Sequence, residues 1–460
     1  MSIYHCSTKM FQHTSMNWIN LFSAKRFGVS KSVPLAQTRS RFEQDYDRII
    51  FSHPFRKLQD KTQVFPMPED DFVHSRLTHS LEVASVGRSL AKEAGKIILS
   101  KNEALRVSGI KYQDFGDVVS AACLAHDLGN PPFGHSGEQS ISSFFLNTEG
   151  GRFFESMVKP TEWSDLINFE GNAQGFRILT NPNQGGLSLT YSTLATFTKY
   201  PLSSASKKVP ARQSQHKYGF FNDNFTYFET IAEELQLKKI SETTWLRHPL
   251  AFLVEAADDI CYSIIDLEDA TRLGLISFEQ TKNLLAEIIG PKFSEEKLSK
   301  IVDLNEKLGV LRAMAIYELI QEVVTVFVSK EAELLTGDFD HALTDKIPSA
   351  PVLEKISSIS VEYIYQSRQV LEREVAGYEI IEKLTATFCQ AVFTIKNNPK
   401  FVSTKDKKIY RVLPDSFKLQ LTNDQLSVYE NLRVVIDFIS GLTDSNASRL
   451  YKIISGNIKN

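Results

Sequence analysis

Ala125-His126-Asp127-Leu128-Gly129-Asn130-Pro131-Pro132-Phe133-Gly134-His135-Ser136-Gly137-Glu138 is the stretch on which the reading of this chain turns. Ten histidines in 460 residues make a bare His-Asp neighbour unremarkable, but the surroundings of this pair are unusual. Consecutive helical residues point about 100° apart, so His126 and Asp127 share one ion most easily at a helix end. Gly129 and the Pro131-Pro132 pair predict that end at once, because proline cannot continue a helix and restricts the residue before it. Three residues separate His135 from Glu138 in the Gly-rich segment that follows. That spacing suits a dyad in which a carboxylate orients and charges an imidazole.

Outward from this stretch the dominant period is helical. Val118, Val119, Ala122, Cys123 and Leu124 form a nearly all-apolar run leading to His126. Leu77, Leu81, Ala84 and Leu90, with Val83 and Val86 beside them, mark an amphipathic helix that carries His79. Leu253, Ala257, Ile260, Ile264 and Leu267 form a third apolar stripe, on a helix expected from about 248 to 272. Further helical patterns occupy about 275–290, 295–334, 351–396 and 424–456. Strand alternation is scarce. Its best candidate is a short hairpin around 400–413, turning at Lys405-Asp406-Lys407. The expectation is an all-α fold with at most a small β-hairpin: an extension over 1–15 that is disordered, a catalytic core over 16–290 and a helical C-terminal region over 291–460.

The composition, 42% hydrophobic and 23% charged, is that of an ordinary globular protein, and the length supports a large core. A net charge of −3 gives no global attraction to nucleic acid or acidic membranes, so any polyanion site must be a local basic pocket. Cys6, Cys123, Cys261 and Cys389 are far apart and form no CxxC pair; Cys123 and Cys261 read as small buried hydrophobes. No stretch approaches the ~20 apolar residues of a membrane span, and residues 1–15 lack a signal-peptide core, so a cytoplasmic protein is expected. Met16 opens a segment, MNWINLFSAKRFG, that reads like a fresh start. Residues 199–217 hold Lys199, Lys207, Lys208, Arg212 and Lys217 without one acid; the middle suits a solvated loop, and the two ends suit a basic flap over a polyphosphate.

On the third helix Asp258, Tyr262 and Asp266 are spaced i, i+4, i+8 and so form one polar line. The competing Asp259 heads a line through Ser263 and Leu267 into the apolar stripe. The pattern therefore favours Asp258 as the inward-facing carboxylate.

These blocks together resemble the deoxyguanosinetriphosphate triphosphohydrolases, bacterial members of the HD superfamily. The resemblance runs from Met16 onward through RKLQDKTQVFP (56–66), RLTHSLEV (76–83), AHDLGNPPFGHSGE (125–138), FEGNAQGFRIL (169–179), LTYSTLATFTKYP (189–201), EAADDICYSIIDLEDA (255–270) and DFISGLTD (437–444). Residues 1–15 match nothing in the pattern, and no catalytic position of it is missing.

The resemblance implies that His79, His126, Asp127 and Asp258 are the ligands of a divalent metal. Two imidazoles and two carboxylates suit Mn²⁺, Fe²⁺, Co²⁺, Zn²⁺ or Mg²⁺ and do not by themselves choose among them; the expectation is Mn²⁺ or Mg²⁺ first, with Fe²⁺, Co²⁺ or Zn²⁺ as alternatives. It implies that His135 is the catalytic histidine with Glu138 as its partner. Gln63 and Asp266 would meet the 3′-hydroxyl, Val64 would lie by the sugar, and Tyr262 would pack under C2′. Asn172, Lys199, Tyr200 and Lys217 would line the phosphate side, where Arg76, Lys199 and Lys217 would meet the roughly four charges of a triphosphate. The implied reaction is dGTP and water to deoxyguanosine and tripolyphosphate, by attack of metal-activated water at the α-phosphorus. A broad dNTPase, or another HD phosphohydrolase such as a 5′-nucleotidase or phosphodiesterase, is the alternative; a non-enzymatic nucleotide- or DNA-binding module is disfavoured by the complete ligand set. Family members further imply a homo-oligomer, a hexamer, with a second dNTP or single-stranded DNA as effector.

Overall fold

The computed structural model describes residues 15–29, 39–64, 74–181 and 186–457. The protein is all-α, with a single two-stranded sheet among the described residues. The helices that matter here are α1 (Arg41–Ile50), α2 (Arg76–Lys101), α3 (Tyr112–Ala125), α4 (His135–Asn147), α5 (Gly171–Thr180), α6 (Ala251–Arg272), α7 (Leu304–Ser329), α8 (Arg368–Asn397), α9 (Thr404–Val412), α10 (Val428–Ser440) and α11 (Asp444–Ile454). No helix among the described residues is long and apolar enough to cross a membrane.

α2 is the central rod, packed along α3 and also against α6 and α7. Gly87 permits the close approach: a Cβ there would collide with the Cys123 sulfur on α3. The apolar faces of these helices merge into one core that begins at Met16 and Trp18 and includes Leu90, Val119, Ile260 and Val323. Met16 is buried, its N–H donating to the Leu335 carbonyl at 2.9 Å. The extension over 1–15, which includes Cys6, lies outside the described residues except for Ser15. Cys123 and Cys261 are fully buried.

A second core is built from Phe144 and Phe145 of α4, Phe388 of α8, and Phe438 and Ile439 of α10. Burial between the two cores demands charge pairing. Arg177 of α5 donates through Nε to both carboxylate oxygens of Asp437 on α10, at 2.9 and 3.0 Å, and through Nη1 to Asp223 at 2.6 Å. Gln174 adds a hydrogen bond to Asp437 at 2.8 Å.

The expected hairpin at 400–413 is not there. Those residues form α9, and Lys405-Asp406-Lys407 is its first turn. Ser403 caps it by accepting the Asp406 N–H while Asp406 accepts the Ser403 N–H, so the turn-like residues are a capping box. The sheet lies elsewhere, β1 (Lys239–Ser241) antiparallel to β2 (Thr244–Trp245). Three long periodic stretches are also interrupted, and that at 295–334 breaks into helices over Glu295–Ser299, Leu304–Ser329 and Glu331–Thr336. The stretch 351–396 breaks after a helix over Ala350–Ser360, where Val361–Tyr365 adopt a wider helical turn before α8. The stretch 424–456 breaks between α10 and α11 at Gly441-Leu442-Thr443.

Removing Asp437 leaves the Nε edge of the buried Arg177 guanidinium unpaired, with only Asp223 on the other side. Asp437→Ala should therefore cost about 3–5 kcal/mol of unfolding free energy in a denaturant titration. Arg177→Met combined with Asp437→Leu should cost less than the single change; equal or greater loss would show that the pair is not the source.

Candidate active site

α3 ends at Ala125, and His126 is its C-cap. The His-Asp pair therefore sits where the helix lets go, and two adjacent side chains can turn to one point. The ring of His126 is oriented by its own helix: Nδ1–H donates to the Cys123 carbonyl at 2.6 Å, leaving Nε2 for a ligand. His79 comes from α2, its ring 5.3 Å from that of His126. His79, His126 and Asp127 offer ligand atoms within 4.8 Å of one another. Asp258 of α6 faces both imidazoles, with Oδ1 3.2 Å from His79 Nε2 and 3.5 Å from His126 Nε2. Asp259 points the other way and accepts the Thr344 hydroxyl. Two imidazoles and Asp127 brought this close fit a divalent cation, and Asp258 stands against the same two imidazoles as a further donor.

The surrounding charge is matched. Burial alone would raise Asp127, but the Arg76 guanidinium at 2.8 Å and the two imidazoles hold it down to about 2. Burial likewise opposes ionisation of Asp258, yet Lys199, at 2.9 Å from Oδ2, and both histidines keep it well below the ordinary range. Asn130 donates to Asp127 Oδ1 at 2.5 Å. The following loop is held tightly against α5, for a Cβ on Gly129 would run into the backbone of Gly171 and Gly175.

His135 opens α4, preceded by two left-handed residues, Phe133 at φ 62° and Gly134 at φ 57°. Its Nδ1 lies 3.0 Å from Glu138 Oε2, and that hydrogen bond raises the imidazole above its ordinary value. Glu138 is fixed in turn, because Oε1 accepts the Gly171 N–H at 2.6 Å. Gln139 lies 2.9 Å from His135 Nε2, and a flip of its amide would serve a protonated ring equally well.

A cleft of about 290 Å³ opens beside these groups. Of the residues expected to bind substrate, Gln63, Val64, Arg76 and Tyr262 line it, together with Asp127, His135 and Asp258. Gln63 Oε1 is buried without a partner among the described residues. Lys199 reaches the cluster through Asp258. Asn172 and Lys217 meet not in the cleft but at Glu170, which accepts from Asn172 at 2.9 Å and lies 3.6 Å from the Lys217 ammonium. Tyr200 lies under the Arg247 guanidinium, 5.6 Å from its ring centroid, and does not line the cleft. Asp266 is buried, which pushes it up to about 7, and it accepts the Tyr365 hydroxyl at 2.7 Å.

The sequence reading missed Tyr365, Arg373, Glu374 and Phe133, which complete the walls. Tyr365 stacks on Tyr262 with centroids 5.6 Å apart and rings 14° from parallel. It comes from the wide turn before α8, about a hundred residues from Tyr262, and no spacing rule connects the two.

The HD domain family profile matches residues 76–170, and that of the phosphohydrolase-associated domain matches 348–453. The chain is 38% identical to a deoxyguanosinetriphosphate triphosphohydrolase-like protein of Synechocystis, over 96% of this chain and 99% of that protein. A protein of the same name from Pseudomonas aeruginosa is 37% identical, over 96% and 99% of the two chains. The deoxyguanosinetriphosphate triphosphohydrolase of Yersinia pestis is 29% identical, over 89% and 93%.

His74 lies behind the site, with Nδ1 2.9 Å from Asp269 and Nε2 3.2 Å from Glu82. Burial pushes it down, but the hydrogen bonds and charges of the two acids prevail and raise it to about 10. A folded value raised above the unfolded one gives stability that is full below about pH 6.5 and lost as pH rises towards 10. Unfolding free energy should therefore fall across that window, and His74→Gln should flatten the slope. A slope unchanged in the variant would remove His74 as its origin.

Proposed function

Because the chain belongs to the deoxyguanosinetriphosphate triphosphohydrolase family of HD-domain proteins, we propose that it is a metal-dependent dNTP triphosphohydrolase. In this reading dGTP is the preferred substrate, and deoxyguanosine and tripolyphosphate are the products. The observation that carries it is one cleft in which Asp127 and Asp258, next to His79 and His126, lie beside His135, an exposed imidazole whose pKa a buried carboxylate raises, and Gln63, whose amide oxygen is unpartnered among the described residues.

His79, His126, Asp127 and Asp258 would hold the ion. A divalent cation there would acidify water and draw charge from a phosphoryl oxygen. The protein's own residues do the rest. Arg76 and Lys199 already balance the carboxylates and are placed to share their charge with a triphosphate; Lys217 is within reach of the same side. The leaving group is the 5′-oxygen of a nucleoside, which departs poorly unless protonated. His135, kept protonated to higher pH by Glu138, is the acid that supplies this proton. Gln63 Oε1 accepts from the 3′-hydroxyl, and the Tyr262–Tyr365 stack leaves no room for a 2′-hydroxyl. These groups read the sugar and not the base, so hydrolysis of all dNTPs is the second reading.

Asp258→Ala should lose bound metal and activity together, measured by elemental analysis and by chromatography of nucleoside and tripolyphosphate. His135→Ala should retain the metal and lose rate by roughly two to four orders of magnitude. A metal-free His135→Ala protein would mean that a ligand had been taken for an acid.

GTP should be turned over poorly, and 2′,3′-dideoxy-GTP roughly ten- to a hundredfold more slowly than dGTP, the cost of leaving a buried polar group unpaired. Tyr262→Ala should relax the exclusion of GTP while keeping the metal. Equal turnover of GTP and dGTP by the unmodified enzyme would refute this account of the sugar wall.

A further inference from the structure

The block DFISGLTD ends in Asp444, a residue that none of the chemistry above uses. It is the first residue of α11, where an acid normally serves its own helix. Here Thr443 does the capping, its hydroxyl accepting the Asn446 N–H at 3.3 Å. Asp444 is buried, and its carboxylate is turned to three other segments. Oδ1 accepts the Phe133 N–H at 3.0 Å. Oδ2 accepts the Thr62 N–H at 3.1 Å and pairs with Arg373 Nη2.

Each partner belongs to a different wall of the cleft. Phe133 is a non-glycine residue held at φ 62°, a conformation costing of order 1–3 kcal/mol that persists only where the surroundings impose it. Two residues later the chain reaches His135. Thr62 is followed directly by Gln63 and Val64. Arg373 closes the triangle, with Nη1 3.5 Å from the Val64 carbonyl and its guanidinium 5.8 Å from the centre of the Phe133 ring. Lys61 binds the same junction from behind, donating to the Asn130 carbonyl at 2.5 Å and to the Ser440 carbonyl at 3.1 Å.

We propose that Asp444 is a positioning residue for the reaction: through Phe133, Thr62 and Arg373 it sets His135 and Gln63 at one distance from each other across the cleft. It touches neither the ligand cluster nor the dyad, so it acts on geometry and not on metal loading. The kinetic part rests on the triphosphohydrolase reading; the positioning of His135 does not.

The test uses the full-length protein with Asp444→Asn and Asp444→Ala. The first readout is the His135 ring titration by NMR, which needs no substrate. The groups facing that ring are Glu138, with Lys217 and Glu170 further off. In Asp444→Ala the His135 midpoint should fall towards the ordinary histidine value as the loop loosens from Glu138, and metal content should stay unchanged. The second readout is kinetic. For dGTP, kcat should fall about ten- to a hundredfold with little change in KM, and the rate advantage of dGTP over 2′,3′-dideoxy-GTP should shrink towards one. Asp444→Asn, which keeps one acceptor oxygen, should recover part of both, and it decides the matter if the alanine variant does not fold. An unchanged His135 midpoint together with an unchanged dideoxy ratio would overturn the proposal. Wild-type protein that hydrolyses no dNTP, in which Asp444→Ala still shifts His135, would sink the triphosphohydrolase reading and leave the positioning role standing.

Discussion

The carboxylate of Asp258 is the point on which the site depends. It sits among two imidazoles and an ammonium, in surroundings where an uncompensated charge would cost several kcal/mol. Four stretches of chain must therefore meet around it: α2 with His79, the end of α3 with His126, α6 with Asp258 itself, and the loop carrying Lys199. The packing that allows this is apolar and close, down to the missing side chain at Gly87. Hydrophobic burial brings the helices together, and the match of charges fixes their rotation about their axes. A rotation of α6 by one residue would bring up Asp259, which Thr344 already occupies.

Along α6 the same residue type is placed in distinct environments. Asp258 is ionised by its cationic neighbours, and Asp266 is pushed up to about 7 by burial beside a tyrosine hydroxyl. Asp269 pairs with a charged His74. One face of one helix thus runs from fixed negative charge, through Tyr262, to a carboxyl group poised between neutral and ionised. The difference comes from the neighbours: Lys199 and two imidazoles face Asp258, whereas burial dominates at Asp266.

Much of this was legible in the sequence, for identifiable reasons. The helical class followed from apolar spacing, and the turn of the His-Asp pair followed from Gly129 and two prolines. The inward aspect of Asp258 followed from the Asp258–Tyr262–Asp266 line. What escaped was of two kinds. At 400–413, alternating Lys and Asp imitated a hairpin turn, because Ser403 and Asp406 satisfy each other's backbone in a pattern that reads the same way locally. In the cleft, Tyr365 and Arg373 lie about a hundred residues beyond Asp266 in the chain, and only tertiary packing of the wide turn and of the start of α8 brings them to Tyr262 and Val64.

The C-terminal region is thereby more than a cover for the catalytic helices. Asp437 neutralises Arg177 on α5, the helix whose first residue, Gly171, donates to Glu138. Lys61 spans from the carbonyl of Asn130 to that of Ser440, although complete burial pushes its ammonium down to about 7. Asp444 accepts the N–H of Phe133, two residues before His135. Each contact joins an element from the last quarter of the chain to a residue one step removed from the metal cluster or the dyad. In the reading proposed above, the acid and the metal ligands must stay in register while a large, charged substrate enters between them. Ties outside the cleft would accomplish this without using any group such a substrate needs, which would give a physical reason for the associated domain to accompany the HD helices in one chain.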